Sequence, residues 1–144
     1  MIQRVQTIYL LLAAMISGGL IFIVRLWTEA SGQIVFVGDL LSNPSILIKT
    51  ILFSFLISSL LSAFAIFLFK NRQLQFVIGR MNMLINFYLL GILIYVSQTV
   101  SGETAVFEKG IGMFFPIIVV VLLVMANKAI KKDEDLVKSV DRLR

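Results

Sequence analysis

Four stretches of this chain are too long, too apolar and too free of charge to fold against water. Gln6 to Val24 (QTIYLLLAAMISGGLIFIV) contains no charged residue, and neither does Thr50 to Phe69. A third run begins between Leu74 and Met81 and ends near Val100; a fourth lies in MFFPIIVVVLLVMANKAI. An α-helix rises 1.5 Å per residue, so roughly 20 apolar residues cross a hydrocarbon core about 30 Å thick. Each run is therefore read as a membrane-crossing helix. The rest of the composition agrees: 59% of the 144 residues are hydrophobic and 15% charged. A soluble domain of this size has too much surface for its volume to bury that share.

The spans are expected at about 6–27, 46–69, 76–100 and 111–130, followed by a tail helix over 131–144. Together they form a single membrane domain, 1–144. The fold class expected is all-α, an integral membrane four-helix antiparallel bundle whose C-terminal helix projects into the cytoplasm. The first run is too long for a signal-peptide core and lacks an A-x-A cleavage site, so it is read as retained. The polar connection after Trp27 includes a short extended piece, Gln33 to Val37, on the outer surface. Asn43-Pro44 suits the start of the second helix, with proline at the first helical position. The short KNRQ connection returns the third helix beside the second, and Gly102 is placed to end that helix. Pro116 falls in the first turn of the fourth, where it breaks nothing.

Orientation follows from lysine and arginine, which accumulate on the cytoplasmic side of short loops. Arg4, Lys70, Arg72, Arg80, Lys128, Lys131, Lys132, Lys138, Arg142 and Arg144 fall on one side, ten of thirteen. The other side has Arg25, Lys49 and Lys109, together with Glu29, Asp39, Glu103 and Glu108. Both termini are therefore expected in the cytoplasm. The net charge of +5 comes from these span-flanking residues, so nucleic acid is not an expected partner.

The chain has neither cysteine nor histidine. That removes disulfides, thiolate nucleophiles, the usual zinc and haem ligands and the near-neutral proton shuttle. No phosphate-binding glycine loop, catalytic carboxylate pair or nucleophile elbow appears. No catalytic residue, metal site or cofactor is expected. The spans contain no Asp or Glu, whereas proton-coupled carriers use an intramembrane carboxylate; small four-helix multidrug transporters, similar in size, depend on a membrane glutamate absent here.

Three sets of residues remain as candidates. Ser54, Ser58 and Ser62 recur every four residues as a small-residue stripe, for which Ala14 and Gly18 are a guessed matching surface; the stripe serves packing within the chain or a homodimer seam. Asn82 and Asn86 lie one turn apart, with Gln98 near the far end of the same span, and polar groups at that depth must face the bundle. They form an interhelical network or line a polar path. Arg25 and Lys49 have Glu29 and Asp39 within topological reach. In the tail, Leu136, Val137, Val140 and Leu143 gather on one helical face, while Lys131 with Asp135 and Glu134 with Lys138 are spaced as i,i+4 pairs.

MIQRVQTIYLLLAA, KNRQLQFVIGRMNMLINFYLLG and ANKAIKKDEDLVKSVDRLR together resemble a family of small inner-membrane proteins of Bacteroidota, the domain-of-unknown-function family numbered 4293. The resemblance covers nearly the whole chain and is most specific at the basic entrance to the third span and in the terminal KKDEDLVKSVDRLR. It implies a four-helix protein of the bacterial inner membrane without an assigned activity, and it carries over no catalytic residue. The leading expectation is a non-catalytic scaffold, assembly or regulatory component that meets a membrane or cytoplasmic protein through its tail. The alternative is a small channel or carrier with a path lined by Asn82, Asn86 and Gln98; a lipid-modifying enzyme ranks third.

Overall fold

The computed structural model describes residues 5–29, 31–99 and 108–144. Four helices are long and apolar enough to cross a membrane: α1, Val5–Ile23; α2, Ile46–Phe67; α3, Arg72–Thr99; and α4, Phe115–Arg142, entered by a 3-10 turn at Ile111–Phe114. The mean hydropathy of their best windows runs from 1.7 to 2.3. At 1.5 Å per residue, the 28 residues of α3 and of α4 extend about 42 Å, well beyond a 30 Å core.

Local chemistry sets the ends of these helices. Asn71 caps α3, its Oδ1 accepting the Leu74 N–H at 3.3 Å and its carbonyl the Gln75 N–H at 3.0 Å. The helix therefore starts at Arg72, ahead of the Leu74-to-Met81 window set by hydropathy alone. At α2 the first helical residue is Ile46, with Ser45 as N-cap. Pro44 thus stands outside the helix rather than at its first position, in a turn where Asn43 Oδ1 accepts the Ser45 N–H at 3.0 Å. Pro116 lies in the first turn of α4. The expected stop at Gly102 lies outside the described residues.

Consecutive helices pack on one another and α4 closes the ring on α1. The first ends at Ile23, short of the expected 27, because residues 27 and 28 leave the helix for a small sheet. Strand β1 (Trp27–Thr28) pairs antiparallel with β2 (Ile34–Val35) and with β3 (Glu108–Lys109), in the order β2-β1-β3. The all-α expectation is corrected to that extent. Since β1 follows α1 and β3 precedes α4, the sheet fixes the end of α1 and the start of α4 at one end of the bundle. The four-residue link from α2 to α3 lies at the other, which makes the bundle antiparallel.

The core begins under this sheet, where Leu26, Trp27, Val37 and Leu40 meet Phe55, Leu93 and Phe115, and continues toward the other end through Leu10, Ala13, Ala65, Leu123 and Ala126. Outside it the molecule is apolar all round: Ile23 is 75% exposed, Leu60 69% and Phe67 76%. A water-soluble monomer rarely shows apolar patches beyond a few hundred Å². Lipid is the solvent that such a surface suits.

One stretch of α1 departs from regular geometry. Ile16–Leu20 (ISGGL) forms a π-helical turn in which the Ile21 N–H reaches back to the Ile16 carbonyl. Ser17 Oγ returns its hydrogen bond to the Ala13 carbonyl at 2.7 Å, a bond that bends helices. Gly18 faces α2 so closely that a Cβ there would fall on Ser59 Oγ.

Candidate functional site

Most serine, asparagine and glutamine side chains of the spans turn inward, in separate groups. In the largest, between α2 and α3, Asn82 Nδ2 donates to Ser62 Oγ at 2.7 Å and to the Ser58 carbonyl at 3.0 Å. One turn on, Asn86 Nδ2 donates to Ser58 Oγ at 2.8 Å and to the Asn82 carbonyl and Oδ1 at 2.9 and 3.1 Å. All four residues are at most 1% exposed. In a dry interior an unpaired amide costs several kcal/mol, so these bonds fix which faces of α2 and α3 meet. Asn86 Oδ1 alone in the group has no partner among the described residues.

Ser58 and Ser62 of the small-residue stripe thus belong to the asparagine network, and Ser54 is buried nearby on the same face. Ala14 and Gly18 meet a different serine, contrary to the guessed match: Ser59 Oγ donates to the Ala14 carbonyl at 3.1 Å, beside Gly18. A one-residue step on a helix is about 100° of rotation, so α2 turns Ser58 and Ser62 toward α3 and Ser59 toward α1. Gln98 does not join Asn82 and Asn86; it is exposed on the outside of α3, in the half nearer the sheet.

Two further polar contacts have weaker sequence signals. Gln75 Nε2 donates to the Ala65 carbonyl at 2.9 Å, and Gln6 Nε2 donates to Gln75 Oε1 at 3.3 Å, both glutamines being 1% exposed. This pair joins the start of α1, the end of α2 and the start of α3. Across the α3–α4 seam, Gly79 lies against Asn127 so closely that a Cβ on the glycine would strike Asn127 Oδ1. That oxygen is buried without a conventional partner among the described residues. The Gly79 hydrogen in the Cβ position points at it, a Cα–H···O contact of the kind close helix pairs use. Both glutamines sit beside charged or loop residues in sequence, which hides their burial; the Gly79 contact has no sequence signal of its own.

At the end opposite the sheet six basic residues collect: Lys70 and Arg72 at the α2–α3 turn, Arg80 on α3 and Lys128, Lys131 and Lys132 on α4. The Arg80 guanidinium lies 4.3 Å from the centre of the Phe76 ring, a cation–π contact that also covers the ring with its stem. Arg4 lies outside the described residues.

The fourth helix runs through this basic region without a break, so the span and the tail are one element. Arg72 Nη1 reaches the Asp133 carbonyl at 3.5 Å. Beyond it Leu136, Val137, Val140 and Leu143 are 56, 45, 63 and 90% exposed. Of the expected charge pairs Glu134–Lys138 forms, at 2.8 Å, and its hydrogen bond holds Lys138 above the ordinary lysine value. Lys131 and Asp135 do not pair. Among the described residues neither Arg25 nor Lys49 is in an ion pair; Asp39 instead accepts the Phe36 N–H at 3.0 Å, capping its own turn.

The arrangement defines a class: a four-helix bundle with an apolar exterior, small buried polar clusters and a charged helical extension, suited to residence in a membrane. Within that class, the model of the family described as a domain of unknown function (DUF4293) matches residues 2–143, and the chain belongs to that family. Neither the curated proteins nor the solved structures give a match.

Proposed function

We propose that this protein is a non-catalytic component of a membrane assembly, crossing the bacterial inner membrane four times with both termini in the cytoplasm and meeting a protein partner through the end of α4. One observation carries the reading: α4 continues unbroken past the bundle and ends with four apolar side chains on one face, uncovered. From Lys128 onward the segment has four acids against six bases. A helix lying on lipid headgroups would carry more aromatic residues and less acid, so a protein surface is the better match for the stripe. The gathering of basic residues at the same end supports the cytoplasmic orientation.

The channel reading has less support, because Asn82 and Asn86 direct their amide donors to Ser58, Ser62 and one another at 0–1% exposure. The test is cross-linking in native membranes with the full chain and with residues after Lys131 removed. Loss of specific partners on truncation supports the proposal, and identical partner lists would sink it.

A further inference from the structure

Where α4 runs alongside the start of α1, the two helices leave a groove of about 440 Å³. Ligand sites typically occupy about 300 to 1,000 Å³. One part of the wall is apolar, formed by Val5, Tyr9 and Met125; toward the tail stand Lys128, Lys132 and Asp133, with Ala129 between them and Leu136 at the tail-side edge. Lys128 and Lys132 are one turn apart on α4 and present their ammonium groups to the same side. Among the described residues none of these three charges is in an ion pair. Gln6 also lines the groove, and its Oε1 is buried without a partner among the described residues while its Nε2 is held by Gln75.

We infer that this groove binds the phosphoethanolamine headgroup and the adjoining part of one acyl chain of a glycerophospholipid. An apolar wall beside two ammonium groups and a carboxylate matches the chemistry of such a molecule. An acyl chain lies along Val5, Tyr9 and Met125, and the phosphate sits between the ammonium groups of Lys128 and Lys132. The primary ammonium meets the Asp133 carboxylate. Asp133 decides the headgroup. A glycerol headgroup brings no cation to it, and a choline headgroup brings one with no N–H to donate. The inference rests on the four helices crossing a bilayer; Lys128, Lys132 and Asp133 stand apart from Val137, Val140 and Leu143 of the tail stripe, while Leu136 borders both.

The test uses the purified full chain in detergent, given equal amounts of phosphatidylethanolamine, phosphatidylglycerol and phosphatidylcholine with identical acyl chains, with bound lipid read by native mass spectrometry. Phosphatidylethanolamine is expected to be retained several-fold over the other two. Lys128→Ala with Lys132→Ala removes that retention, and Lys128→Arg with Lys132→Arg keeps it. Asp133→Asn lowers phosphatidylethanolamine to the level of phosphatidylglycerol. Soluble phosphoethanolamine, lacking the chains, does not compete. Equal retention of the three lipids, or undiminished binding by the double alanine variant with an unchanged circular dichroism spectrum, overturns the inference. Failure of the protein to insert into liposomes would instead contradict the membrane reading beneath it.

Discussion

The asparagines of α3 tie that helix to α2 at fixed points. Each places its donors on α2, at Ser62 and Ser58, so rotation or sliding of one helix would break several bonds together. Interhelical hydrogen bonds in membranes are individually modest, about 0.6 kcal/mol on average and up to about 2. Asn82→Leu is therefore expected to destabilise the bundle by about 1 to 2 kcal/mol in bicelles, read from reversible denaturation, without creating or abolishing solute flux in liposomes. A flux present in the parent and lost in the variant would revive the channel reading. Gly79 gives a sharper case. A Cβ there meets Asn127, so Gly79→Ala should cost about 1 to 3 kcal/mol. In a double-mutant cycle the cost should shrink when Asn127 is Ala, since the two residues are in contact; additive effects would show that the contact is not the cause.

At the scale of elements, the helices were legible in the sequence because hydropathy is summed over many residues and tolerates local errors. Their ends were less so, being decided by single contacts: the Asn71 cap moves α3 earlier, and β1 draws residues 27 and 28 away from α1. Pairing of β1 with β3 joins segments far apart in sequence, and two-residue strands leave no periodicity to read. Within the candidate sites, the spacing of Ser58 and Ser62 against Asn82 and Asn86 gave the inward-facing polar residues. It did not give the partition of the serines between two neighbours, which depends on helix rotation, nor the outward position of Gln98. The tail stripe followed from its period, and its exposure follows from α4 outlasting the helices beside it. Removing residues after Lys131 should thus leave the bundle folded, with thermal stability in detergent little changed; collapse of the truncated chain would show that the tail is structural. The Glu134–Lys138 bond adds a small pH dependence. Because Lys138 is raised above 10.5 in the folded tail, its contribution is fully present below 10.5 and disappears as pH climbs through the raised value. Tail helicity, followed by circular dichroism of full chain minus truncated chain, should fall only above that point on the alkaline side.

For the whole molecule, asymmetry between the two ends is the governing feature. One end is closed by the small sheet that includes Trp27; the other has most of the basic residues, the groove between α1 and α4 and the α4 extension. A C-terminal reporter active only in the cytoplasm should be active, and one inserted after Gly32, in the turn between β1 and β2, should be silent. The reverse pattern would invert the orientation. The chain has no cysteine of its own, so single cysteines can carry a photo-cross-linker without background. With probes placed in turn at 136, 140 and 143 on the stripe, and at 135, 138 and 142 away from it, cross-linking in native membranes tests the proposed contact directly. Discrete protein adducts from the stripe positions and none from the others are the result expected; the same adducts from both faces, or lipid alone from the stripe, would contradict it.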